Sequence, residues 1–163
     1  MYYDIGKPTN YNTNWWNTGQ NVELSITPQG KSIINKQDSS YSLCYPYITD
    51  EFPSSWSARL AAVKCYNIPF IIEIDILDFT SDTSVGLYFN DDAANINQLL
   101  NYFSISKNSH VKLEVTGSKV NCYVNNNLTK EINYSSTITR FALKVNGQSH
   151  LTYKNLIIYQ MSR

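Results

Sequence analysis

The sequence predicts an all-β fold, a two-sheet antiparallel β-sandwich in which residues 1–163 form a single domain. Three observations carry that prediction: roughly a dozen short segments with period-two alternation, turn residues between them, and no long stretch with the apolar period of a helix. The clearest region is His110 to Gln160. Four alternating strands follow one another there with only tight turns between, which predicts an antiparallel meander.

In chain order, Tyr2 to Ile5 predicts a short strand, followed by a turn-rich segment from Lys7 to Gly19 that holds Trp15 and Trp16. Val22, Leu24 and Ile26 alternate within Asn21–Thr27, Lys31–Asn35 follows across Pro28, Gln29 and Gly30, and Tyr41–Ile48 predicts another strand. A loop covers Asp50–Ser57. Ser57–Tyr66 is strand-like in context, although propensity alone also permits a helix. Pro69–Phe79 is the most apolar segment, with Phe70, Ile72, Ile74 and Ile76 on one face, and it predicts a central strand. Thr83–Asn90 is expected to pair back on it through Ser81 and Asp82. Asp91–Asn97 is a polar excursion, and Leu99–Ser106 a further strand.

Within the closing run, Val111, Leu113 and Val115 share one face while Lys112, Glu114 and Thr116 share the other. Gly117-Ser118 predicts a type II′ turn, which needs positive φ at its first central residue. Val120, Cys122 and Val124 resume the buried face, and Asn125-Asn126-Asn127 makes the next reversal, because asparagine tolerates left-handed backbone. Asn146-Gly147 is the strongest short turn signal in the chain. The final strand, Leu151–Gln160, buries either its Leu156 and Ile158 side or its Tyr153, Ile157 and Tyr159 side.

Composition narrows the function classes. A chain that is 42% apolar and 16% charged folds as a globular protein, and its formal net charge of zero, with no Lys/Arg stripe, argues against a nucleic-acid partner. No apolar run reaches the ~18 residues of a membrane span, and Met1 leads into Tyr-Tyr-Asp rather than a basic and then apolar export leader. A soluble chain is expected. Cys44, Cys65 and Cys122 lack metal-ligand spacing, so three reduced, mostly buried thiols are expected, with a Cys44–Cys65 bridge as the alternative.

Neutral polar residues dominate instead: 19 Asn, 18 Ser and 12 Thr, with 13 Tyr among them. Aromatic faces stack on sugar C–H faces while amides meet hydroxyls in both donor and acceptor senses, so such a surface suits uncharged, hydroxyl-rich ligands. An A/T-rich coding sequence enriches the same residues without a functional cause.

The order of elements resembles the concanavalin A-like lectin and glucanase jelly rolls, including laminin-G-like domains. The residues that carry the resemblance are Asp4 and Trp15-Trp16 in the lead-in, Pro69-Phe-Ile-Ile-Glu-Ile-Asp75, His110-Val-Lys-Leu-Glu-Val115, Val120-Asn-Cys-Tyr-Val-Asn-Asn126 and Tyr153-Lys-Asn-Leu-Ile-Ile-Tyr159. The opening Asn10-Tyr-Asn-Thr-Asn-Trp-Trp-Asn17 also resembles modules of virion tail or fibre proteins and microbial surface adhesins. The jelly-roll resemblance implies two antiparallel sheets, one curved, with ligands bound on the concave face or its rim loops. The neutral polar and aromatic surface points to a non-catalytic, glycan-binding or host-recognition module, and the second resemblance to a virion or cell surface. The ligand would be a glycan or cell-surface polysaccharide.

The candidate binding residues are Trp15, Trp16, Tyr47, Trp56, Tyr88, Asn90 and Asp91, with one of the paired tryptophans expected to plug an end of the core. The first alternative is a structural or homo-oligomerising module of a larger particle. The second is a glycoside hydrolase. The resemblance to laminarinase-like enzymes implies a Glu-x-Asp-x-x-Glu strand with a bulge, and Glu73-Ile-Asp75-Ile-Leu-Asp78 has that spacing but ends in the shorter acid. No cofactor is required. A structural calcium has its candidate ligands in Asp91 and Asp92 with Asn90, or in Asp4, against the simpler reading of a solvated acidic turn. His110 and His150 lack a third ligand for zinc, and the Asn127-Leu-Thr129 and Asn133-Tyr-Ser135 sequons arise readily by chance in so asparagine-rich a chain.

Overall fold

The computed structural model describes residues 2–3, 15–17, 21–38, 40–46, 66–67, 69–81, 84–90, 105–133 and 138–160. Among them are thirteen strands: β1 (Tyr2–Tyr3), β2 (Trp15–Asn17), β3 (Val22–Ile26), β4 (Lys31–Asn35), β5 (Ser42–Pro46), β6 (Tyr66–Asn67), β7 (Phe70–Phe79), β8 (Val85–Asn90), β9 (Ser109–Val115), β10 (Lys119–Val124), β11 (Asn127–Asn133), β12 (Ile138–Val145) and β13 (Ser149–Gln160). They form two antiparallel sheets. The larger runs β11-β10-β9-β7-β13-β4-β3 with β1 on β13, and the smaller runs β2-β5-β12-β6 with β8 on β12.

The expected sandwich is therefore present, and β7 is its central strand, bonded to β9 along one edge and to β13 along the other. Phe70, Ile72, Ile74, Ile76 and Phe79 of β7 meet Val111, Leu113 and Val115 of β9 and Phe141, Leu143 and Val145 of β12 in one buried cluster. Burying each such side chain contributes about 1.5–3 kcal/mol, which is why alternation decides the sheet faces.

Two expectations about connectivity fail, for one reason. The meander extends only through β9, β10 and β11; β12 leaves for the smaller sheet, and β13 returns to the larger one between β7 and β4. Asn146-Gly147 is thus a crossing between layers and not a hairpin turn. Likewise β8 pairs with β12 and does not pair back on β7. Both edges of β7 are already occupied, so the Ser81–Ser84 turn, closed by a 3.0 Å backbone bond, carries the chain into the other layer. Of the strands expected at Ser57–Tyr66 and Leu99–Ser106, residues 57–65 and 99–104 lie outside the described residues, and Ile105 and Ser106 are not in a strand.

Asparagine performs the backbone work that glycine often does. Asn21, Asn108, Asn125, Asn126 and Asn155 all have φ between 51° and 68°, as does Gln148 at 58°. Asn125 and Asn126 are consecutive and join Val124 to Asn127, so this reversal is a two-residue loop with left-handed backbone at both positions. Gly117 does the opposite of what was expected. Its φ is not left-handed and a Cβ there would meet nothing, so the Thr116–Lys119 turn does not need a glycine. Gly30 is where one is required: a Cβ would collide with the Tyr153 carbonyl oxygen and approach Lys154 Cβ to 3.1 Å.

The layers are tied by Asn35, which is 1% exposed. Its amide donates to the carbonyls of Val145 (2.9 Å) and Ser40 (3.0 Å), and its Oδ1 accepts from the Gln37 backbone and side chain. Gln148 reinforces the crossing by donating to the Lys36 carbonyl at 3.0 Å. Lys31 is also buried, and desolvation pushes its ammonium down to about 7. A lysine of that kind binds its proton better when unfolded, so it adds stability as pH rises from about 7 towards the ordinary lysine range. Cys44 and Cys122 are free, buried and pushed up to about 12 by desolvation, while Cys65 lies outside the described residues. The Cys44–Cys65 bridge is therefore not formed.

The two glycines give opposite expectations in urea unfolding. Gly117→Ala leaves stability unchanged or raises it by about 0.4–1 kcal/mol through the unfolded chain, whereas Gly30→Ala lowers it. Equal effects from both would contradict the close approach of the β3–β4 turn to β13.

Candidate functional site

The outward face of β7 positions a group of interacting polar side chains. Glu73 and Asp75 alternate with the core residues Ile72, Ile74 and Ile76, so both face away from the core, and the ladder sets Lys112 opposite Glu73 and His110 opposite Asp75. His110 lies between the two acids. Its Nδ1 is 2.7 Å from Asp75 Oδ1 and its Nε2 is 2.9 Å from Glu73 Oε1. Carboxylate oxygens only accept, so the charged imidazolium satisfies both contacts at once. Burial disfavours that charge, but the hydrogen bonds and charges of Asp75 and Glu73 outweigh it and raise the His110 pKa above its ordinary value.

Two bulges frame this group. On β13 the register slips by one residue between Lys154 and Ile157, with Asn155 left-handed at φ 52°, and its amide donates to Asp75 Oδ2 at 2.7 Å. The bulge settles which side of β13 is buried. Leu151 and Tyr153 face inward before it, Leu156 and Ile158 after it, so each side of the strand supplies part of the core. On β7 the slip falls between Ile76 and Asp78, so Leu77 and Asp78 stand consecutively on the outward side with Ile76 and Phe79 buried around them.

Glu73, Asp75 and Asp78 therefore share one face, the arrangement that the glucanase resemblance implies. Their partners differ, however. Glu73 is held by His110, whereas Asp78 faces His150 Nε2 at 3.1 Å and Lys107 Nζ at 3.2 Å, contacts that lower its pKa, His150 most. A retaining pair needs its carboxyl groups ~5–5.5 Å apart, and the short Asp78 side chain is turned to other partners.

Beyond Glu73, Lys112 Nζ lies 3.1 Å from Glu114 Oε1 and 4.6 Å from the centre of the Tyr123 ring. In the opposite direction, a groove of about 570 Å³ opens beside the β7 bulge, lined by Thr27, Pro28, Gln29, Leu77, Asp78, Asn108, Thr152 and Lys154. Sequence reasoning missed His110 as a partner of Asp75, and it missed Asn155 and the groove. The β7–β9 register would have shown the first; no sequence signal marks the bulge at Asn155.

The candidates named from sequence fall elsewhere. Trp15 and Trp16 lie in β2, and Tyr88 and Asn90 in β8, both in the smaller sheet; Tyr47, Trp56, Asp91, Asp92 and Asp4 lie outside the described residues, as does most of the asparagine-rich opening. Register does bring some of them together. Trp16 is opposite Tyr45, Tyr88 is opposite Ala142, and Cys44 opposite Leu143 places Tyr45 beside Ala142, so one row across four strands contains Trp16, Tyr45, Ala142 and Tyr88. Among the described residues no group of three His, Cys, Asp or Glu side chains is placed to hold a metal ion. No helix among them is long and apolar enough to cross a membrane.

The sign of the His110 contribution follows from its raised pKa. The imidazolium bridge is fully present below the ordinary histidine value near 6.5 and is lost as pH rises through the folded value. His110→Gln is therefore expected to destabilise the protein more at pH 6 than at pH 9 in urea titrations; an effect independent of pH would contradict a charged bridge.

Comparison with known proteins supports the architecture. No family model matches the chain. A segment of 55 residues, 34% of the chain, is 36% identical to endo-1,4-beta-xylanase A of Cellvibrio japonicus and spans only 8% of that protein's length. Among solved structures, a carbohydrate-binding module, CBM66, from Bacillus subtilis superposes with a TM-score of 0.57 at 16% identity, covering 93% of this chain and 98% of that one. A Bacillus subtilis protein of unknown function with a galectin-like fold gives 0.66 at 9% identity with 100% of both chains covered. An alginate lyase from Corynebacterium sp. gives 0.59 at 10% identity, covering 96% and 99%. At these identities the likeness concerns the fold alone, a two-sheet antiparallel β-sandwich of the lectin-like kind.

Proposed function

We propose that this chain is a carbohydrate-binding module that holds its ligand without chemical turnover. One observation carries the reading. The outward face of the larger sheet is a pre-ordered polar surface, with Asp75 held between His110 and Asn155 and framed by two bulges, beside an open groove of saccharide size. Groups fixed before binding lose little entropy when they meet hydroxyls, so such a surface suits a sugar chain. The similarity to a carbohydrate-binding module and to a galectin-like fold supports this, as does the short match to a xylanase.

A hydrolase reading has one specific observation behind it, the bulge that turns Glu73, Asp75 and Asp78 to a common face. Against it stand the separate partners of Glu73 and Asp78 and the short side chain at the acid position. An attachment role at a virion or cell surface is compatible with glycan binding and belongs to the same proposal.

Affinity electrophoresis through gels containing different polysaccharides, with a reducing-end assay on the same mixtures, separates these readings. The expected result is retarded migration in at least one gel without release of reducing ends, and retardation preserved in Glu73→Gln. Sugar release that disappears in Glu73→Gln would establish a hydrolase instead. Unretarded migration in every gel would remove the carbohydrate reading altogether.

A further inference from the structure

We propose that the groove between the β3–β4 turn and the β7 bulge binds a carboxylate-bearing sugar of an acidic glycan, with Lys154 meeting the carboxylate. This rests on the carbohydrate-binding reading and adds the class of saccharide and the place where it is held.

The inference comes from which polar groups the fold has already used. Glu73, Asp75, His110 and Asn155 are bonded to one another. Each oxygen of Asp78 has a partner, the Lys107 ammonium on Oδ1 and the His150 ring on Oδ2. Among the described residues, the side chains of Gln29, Asn108, Thr152 and Lys154 make no hydrogen bond or ion pair, and all four line the groove. Lys154 is the informative one. It stands opposite Asp75 in the ladder, yet among the described residues it makes no ion pair with Asp75, whose two oxygens meet His110 and Asn155, so its ammonium is open to a ligand.

The chemistry of the lining fits a charged sugar ring. Leu77 and Pro28 offer apolar surface to C–H groups, while Gln29, Asn108 and Thr152 offer amides and a hydroxyl to ring hydroxyls. Lys154 adds one positive charge where the one acid among the described lining residues, Asp78, is already paired with Lys107. The volume of about 570 Å³ lies within the ~300–1,000 Å³ of small-molecule sites. The wall is also built in place. Gly30 brings the β3–β4 turn against Tyr153 and Lys154, and Thr27 closes that turn through bonds of its hydroxyl to the Gly30 carbonyl and amide.

Calorimetric titration of the intact chain with oligogalacturonate and alginate oligosaccharides, alongside neutral xylan and β-glucan oligosaccharides of equal length, tests the assignment. Wild type is expected to bind an acidic oligosaccharide more tightly as salt is lowered. Lys154→Gln should weaken that binding roughly tenfold or more, the scale of one charge-assisted contact, while Lys154→Arg retains it and any neutral-sugar binding is unchanged. Urea unfolding of each variant checks that the fold persists. If Lys154→Gln binds acidic sugars as wild type does, or if only neutral sugars bind, the groove assignment fails and the carbohydrate reading stands. If no saccharide binds, both fail.

Discussion

Alternation of side chains along β7 and β13, interrupted once on each strand, decides which groups the larger sheet shows to solvent. β7 has no free edge, so its register is set from both sides, and a slip of one residue would exchange Ile72, Ile74 and Ile76 for Glu73, Asp75 and Leu77 in the core. Losing three buried isoleucines at about 1.5–3 kcal/mol each would remove roughly 5–9 kcal/mol, comparable with the ~5–15 kcal/mol net stability of a domain. The two bulges work within that constraint. One keeps Phe79 inside while turning Asp78 outward, and the other keeps Leu156 and Ile158 inside while placing Asn155 against Asp75.

The parts of the fold that depend on local pattern were legible in the sequence. Period-two alternation in Phe70–Phe79 and His110–Val124 is a property of the residues themselves, and it identified all three strands and their buried faces. Partner choice was not legible in the same way. Whether Val85–Asn90 pairs with β7 or β12 depends on which edges β9 and β13 have already taken, and those strands are far along the chain. The turn at Gly117 shows a related limit: glycine permits positive φ without requiring it, whereas the paired asparagines at 125 and 126 adopt it.

The site divides similarly. Glu73, Asp75 and Asp78 were legible as a motif because their spacing lies within one strand. The charges that distinguish them were not, since His110 comes from β9, Lys107 from the segment before it and His150 from β13. Those distant partners hold Glu73 to His110, and Asp78 to Lys107 and His150. The adjoining groove holds polar side chains that have no partner among the described residues. The high asparagine content has a structural share in this: Asn108 and Asn155 shape the backbone around the groove, Asn35 ties the sheets, and Asn125 and Asn126 close a hairpin.

The most direct measurement is a two-dimensional amide NMR titration of isotopically labelled protein with a saccharide ligand. A pre-ordered outward face with its open capacity in the groove predicts that the largest shift changes fall at Gln29, Asn108, Thr152 and Lys154, fading towards Glu114. Changes confined to the smaller sheet, around Trp16 and Tyr88, would contradict it and move the binding surface to the other side of the sandwich.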